Sequence, residues 1–153
     1  MVCRIQNPLA TGTTGTYSIA TKTAAGDDID IDAAVTADTI TNGLLTSTSI
    51  TLPNTRSATT GTATVAFITA DAIPANGLIK VTFGSGFDLT GVGAGSSTCS
   101  TMDGSFSTGV SGQIVTITRS GGTSQAAAAE SCTIATVKNP LATGATGTYS
   151  IAT

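Results

Sequence analysis

Histidine and tryptophan are absent from this 153-residue chain, and charged residues make up only 10% of it, against about a quarter in an average globular protein. The lack of His excludes a Ser-His-Asp triad. With no C-x-x-C pair either, the usual zinc ligand sets are missing. Six Lys and Arg stand singly against nine acids, for a net charge of −3. There is therefore no basic stripe for nucleic acid or for an anionic membrane surface. No apolar run approaches the length of a membrane-spanning helix. The phosphate-loop signature G-K-[ST] does not occur. GSGF at 84–87 and GAGSST at 93–98 lack the spacing of a nucleophile elbow and read as turns. Two carboxylates can serve a glycosidase, but the acids here cluster in one strand-like stretch. The expectation is a protein that is not an enzyme, has no nucleic-acid partner and does not insert into membranes.

Threonine is abundant instead, with 32 copies beside 18 glycines. Thr is β-branched and suits strands, while Gly, Asn, Asp and Pro supply the turns between them. Strands are expected at 15–21, 28–32, 45–52, 60–69, 78–87, 112–119, 132–137 and 147–153. Val65, Phe67 and Ile68 are core candidates, and Ile79, Val81 and Phe83 alternate with Lys80 and Thr82. The Gly- and Ser-rich stretch 88–110 reads as a long loop with room for one short strand, and AAAA at 126–129 as a single helical turn. Regular short strands of this kind predict an all-β, two-sheet antiparallel sandwich of about seven or eight strands.

The main feature is a duplication. NPLATGTTGTYSIAT at 7–21 returns as NPLATGATGTYSIAT at 139–153, differing only at Thr13 against Ala145, with an offset of 139 − 7 = 132 residues. A sandwich has one place for such a strand, and a second copy leaves an apolar strand and an edge exposed. The chain therefore divides into a linking strand, 1–21, and a module, 22–153, that ends in the repeated strand 139–153. The first stretch is either the tail of a preceding module in a tandem array or a strand donated to a neighbouring subunit. Both give head-to-tail contacts that build open filaments unless they close into a ring. The linking residues are Asn7, Pro8, Tyr17 and Ile19 in one copy, and Asn139, Pro140, Tyr149 and Ile151 in the other. A local duplication without assembly is the plainer alternative.

Three cysteines are present. Cys99 and Cys132 can close a disulfide loop, worth about 3–4 kcal/mol in the chain-entropy account, or stand as two small buried hydrophobes. Cys3 is then left for a partner outside the chain or as a free thiol. In DDIDID at 27–32 the isoleucines alternate with acids, which predicts a half-buried strand. Alternating oxygens also suit Ca²⁺, so Asp27, Asp28, Asp30 and Asp32 are candidate ligands. An EF-hand starting at Asp28 is excluded, because it needs Gly at 33 and Glu at 39, where this chain has Ala33 and Thr39. The other reading is a charged edge strand that blocks unwanted pairing. No N-x-[ST] sequon occurs. O-linked glycans on the Thr- and Ser-rich surface are compatible with the composition, but no site stands out.

The run TGTATVAFITADAIPANGLIKVTFGSGFDLTG at 60–91, with VKNPLATGATGTYSIAT at 137–153, resembles the Ig-like β-sandwich repeats of very large Thr- and Gly-rich secreted or cell-surface proteins of microbes and algae. The resemblance covers most of 45–153. It implies an Ig-like module of an extracellular filament or surface fibre, linked to copies of itself, with no catalytic residues to carry over. Because those repeats vary around 88–110, it does not imply the disulfide. An adhesin or carbohydrate-binding module is the runner-up, although six aromatics are few for a sugar site. A pilus-like subunit assembling by strand donation is the third reading. Nothing after Met1 reads as a signal peptide, so secretion would need a targeting segment beyond this stretch.

Overall fold

Alternation of β-branched and small residues leaves little for a helix to use. The computed structural model, which describes residues 11–153, contains strands and turns and no helix among them. The chain is all-β and forms two compact units, one ending at Asn42 and the other running Gly43–Thr153.

The larger unit holds eight of the strands, numbered here in chain order: β5 (Thr46–Thr51), β6 (Thr60–Ile68), β7 (Leu78–Thr82), β8 (Ser97–Cys99), β9 (Ser105–Ser111), β10 (Ile114–Ser120), β11 (Ala129–Lys138) and β12 (Ser150–Ala152). They form two antiparallel four-stranded sheets, β12-β7-β10-β9 and β5-β6-β11-β8. Period-two alternation sends Val65 and Phe67 of β6, Ile79 and Val81 of β7, Val115 and Ile117 of β10, and Cys132 and Ile134 of β11 into one shared core. The arrangement is sandwich-like.

Several expectations are corrected. Ile68 points outward, because its neighbour Phe67 takes the inward position. Ser105–Ser111, expected within a loop, is a full strand. It pairs with β10 through the two-residue connection Gly112–Gln113. Gly112 has φ +57° at the first loop position, where a II′ hairpin places glycine. The alanine run does not coil, and Ala129 instead begins β11 opposite Ile68. A bulge between Ile134 and Val137 resets the alternation in β11, so that Val137 and then Asn139 are buried. Thr136 sits at that bulge with φ +61° and donates its hydroxyl to the Gly91 carbonyl at 2.6 Å.

Cys99 and Cys132 are directly opposed in β8 and β11, with sulfurs at bonding distance and both side chains in the core. Arg119 follows Val115 and Ile117 on the inward face of β10 and is buried at the rim. Its guanidinium ion-pairs with Asp103 and donates to the carbonyls of Asp103 at 2.9 Å, Pro74 at 3.1 Å and Thr123 at 2.6 Å. The buried charge is thus fully engaged and ties three loops together.

The smaller unit contains β1 (Gly12–Thr13), β2 (Tyr17–Lys22), β3 (Asp28–Val35) and β4 (Thr39–Ile40). They form two antiparallel ribbons, β1 with β4 and β2 with β3. A turn closes the second, in which Thr23 N–H donates to Asp27 O at 2.8 Å and Gly26 N–H to Thr23 O at 3.0 Å. The half-buried strand expected at DDIDID is exposed on both faces, with Ile29 61% and Ile31 62% accessible. Among the described residues of this unit no second layer covers the ribbon. A two-stranded ribbon of this kind is only marginally stable in water.

Candidate assembly site

The repeated strand occurs in two environments. In the larger unit, β12 lies at the edge of its sheet against β7, in the register Ser150↔Thr82, Ile151↔Val81 and Ala152↔Lys80. Ile151 is half-buried against the core. Tyr149, just before the strand, packs edge-on against Phe83, with ring centroids 5.9 Å apart at 87°, and against Phe87 at 5.9 Å. Phe83 and Phe87 are themselves in contact at 5.3 Å. The three rings make an aromatic cluster at one end of the sandwich. Glycine admits the approach of the linker, since a Cβ on Gly84 would stand 2.1 Å from the Thr146 carbonyl oxygen.

The start of the linker is anchored as well. Asn139 is buried, and its amide nitrogen donates to the carbonyls of Asn54 at 2.7 Å and Arg56 at 2.8 Å. Its backbone N–H donates to Thr59 O at 2.9 Å, and the Pro140 carbonyl accepts from Ala58 N–H at 3.1 Å. The buried amide of Asn139 thereby finds partners for its donors. Leu141, between Asn139 and Tyr149, is 82% exposed, so the linker is held at its two ends.

The first copy presents the same residues bare. Tyr17 is 43% and Ile19 64% accessible. The ribbon register is Ile19↔Asp32, Ala20↔Ile31 and Thr21↔Asp30. Ile19 therefore shares a face with the acids, and Ala20 shares one with Ile31. Asn7, Pro8 and Cys3 lie outside the described residues.

The acidic strand is engaged by its own ribbon. Lys22 ion-pairs with Asp28, the Thr21 hydroxyl donates to the Asp30 carboxylate at 3.3 Å, and Asp32 accepts from Ala34 N–H at 2.9 Å. Among the described residues no group of three or more His, Cys, Asp or Glu is placed to hold a metal ion. Asp27, Asp28, Asp30 and Asp32 are thus neighbours in sequence without forming a ligand cage.

Elsewhere, Asp88 and Lys138 pair at 3.4 Å beside Thr90 and Thr136 in a shallow depression. The Thr90 hydroxyl and N–H hold the Asp88 carboxyl below its usual value, with Lys138 adding to the effect. Sequence reasoning missed Arg119 and Asp103. The signal available was parity, because residue 119 falls on the same face as Val115 and Ile117. No protein-family model, curated protein or solved structure matches the chain.

Proposed function

We propose that this chain is a structural module of an extracellular filament or surface fibre, an Ig-like β-sandwich joined head to tail to copies of itself through the duplicated strand. The observation that supports this reading is one sequence held in two states. Beside β7, Tyr149 and Ile151 are packed, whereas in β2 the same side chains stand in solvent. An apolar strand that matches a place beside β7, and is presented bare, is a ready occupant for that place in another copy. Over the seven residues GTYSIAT the two copies are identical. The place beside β7 therefore offers either strand the same contacts, and effective concentration decides between them. Donor and acceptor surfaces differ, so the contact is heterologous and repeats into a chain of modules. The role is mechanical, with no catalytic group in it.

Sedimentation velocity at rising protein concentration tests this reading. Species larger than 14.9 kDa should appear and grow with concentration, and Ile19→Asp should suppress them. A single species of one-chain mass at every concentration would sink the proposal.

A further inference from the structure

We infer that the unit passed from one copy to the next is the whole β2–β3 ribbon, so that the acidic strand Asp28–Val35 of one copy becomes the outermost strand of its neighbour's sheet. The inference rests on the head-to-tail reading and specifies its joint. It comes from which edge of the repeated strand is in use at each place. In β7, Phe83 N–H donates to Gln113 O at 2.9 Å, and Gly77 O accepts from Arg119 N–H at 3.0 Å. The odd-numbered residues of β7 thus turn their backbone groups toward β10, and Lys80 and Thr82 turn theirs toward β12. Their partners Ser150 and Ala152 must do the bonding to β7. Ile151 and Thr153 then direct their N–H and C=O groups to the open side.

In the ribbon the other edge is occupied. Thr23 N–H bonds across to Asp27. The register shift between Lys22↔Asp28 and Thr21↔Asp30 puts the extra residue in β3, so the two-residue alternation continues along β2, and Thr21 and Ile19 turn their backbone groups toward β3. Among the described residues Ser18 and Ala20 are left with a free edge, and they are the counterparts of Ser150 and Ala152. The first copy is therefore paired along the edge that β12 leaves open, and is open along the edge by which β12 binds β7. Placed beside β7 of a second copy, β2 puts Ala20 opposite Lys80 and Ile19 opposite Val81 while keeping all its bonds to β3. The joined sheet is β3-β2-β7-β10-β9, five strands across two chains. Its new margin carries Asp28, Asp30 and Asp32, and charge of one sign along an outer strand discourages any further strand from adding. This gives DDIDID a use that needs no metal.

Cross-linking with amide exchange tests the joint. A chain carrying Ala20→Cys and one carrying Lys80→Cys, both in a Cys3→Ser background, are mixed and treated with a short bis-maleimide. The Lys80→Cys chain is used with and without Ile151→Asp, which weakens its own strand as a competitor; the form without it keeps the test valid if the double variant does not fold. The expected product is a 20–80 linked pair in which the amides of Ile19 and Thr21 exchange about tenfold or more slowly than in the unassembled chain. A 20–80 product with those amides exchanging freely would mean that a single strand is donated, which overturns the ribbon joint and keeps the head-to-tail reading. Association without a 20–80 product would mean that the copies meet elsewhere than beside β7, which overturns both the joint and the reading that the duplicated strand links them. Absence of any association overturns both.

Discussion

Gly84 and Thr146 meet back to back, close enough that a methyl group on Gly84 would stand 2.1 Å from the Thr146 carbonyl oxygen. The contact is to backbone, so no side-chain rotation can relieve it. Gly84→Ala should push the linker off the sheet end and loosen β12. A cost of about 1–3 kcal/mol is expected, the range for overpacking a tight contact. Faster amide exchange at Ser150 and Ala152, with the amides of Val115 and Ile117 little changed, would check it. The same substitution should weaken assembly, because an incoming strand brings Thr14, the counterpart of Thr146, to the same obstruction.

Tyr17 and Tyr149 occupy equivalent places in the repeated sequence and should answer the same substitution differently. Tyr149→Ala removes a ring packed on Phe83 and Phe87 and should lower the stability of the larger unit by about 2 kcal/mol, below the range for a fully buried aromatic. Tyr17→Ala alters an exposed side chain and should stay within about 0.5 kcal/mol. Urea unfolding of the two variants at low concentration separates them. Equal losses would mean that Tyr17 is packed as Tyr149 is.

Much of the fold could be read from alternation alone. Ile79, Val81 and Phe83 face inward and Lys80 outward, as their spacing predicts. Ser105–Ser111 was opaque because its Ser and Gly content describes a loop, and its strand character comes from seven residue pairings with β10. Parity alone would put Arg119 on the inward face, but the sequence reading missed it, because a lone arginine there looks like an error until Asp103 and the loop carbonyls around it are known. The repeat itself was legible as identity of sequence. Its two environments were not, because the burial of Tyr149 depends on Phe83 and Phe87, more than sixty residues earlier in the chain, and nothing local distinguishes it from Tyr17.

Asp103 is expected to contribute to the acid dependence of stability. The backbone N–H of Thr123, then its hydroxyl, and with them Arg119, hold its carboxyl below the ordinary value of 3.8. A depressed folded-state pKa stabilises the folded form at all pH above the ordinary value, and that contribution fades as pH falls through it toward the lower folded value. Asp88 acts in the same direction through Thr90 and Lys138. Denaturant midpoints measured from pH 6 down to about pH 2 should fall with acidification. Asp103→Asn should flatten that fall, while leaving Arg119 with one ionic partner fewer. An unchanged slope in the variant would show that other carboxylates carry the acid dependence.

The bond between Cys99 and Cys132 closes a loop with a sequence separation of 33. Its loss should cost about 3–4 kcal/mol in the chain-entropy account. Both side chains are in the core, so Cys99→Ala with Cys132→Ala also opens a small cavity, and chemical reduction of the intact chain is the cleaner comparison. The denatured mass should rise by two hydrogen atoms on reduction, and the denaturant midpoint should drop with it. Because the two strands β8 and β11 stay hydrogen-bonded around the pair, the reduced protein should still fold and keep Thr98 opposite Thr133. A denatured mass that does not change on reduction would place free thiols at these positions, and the core packing of the two sulfurs would then stand on its own.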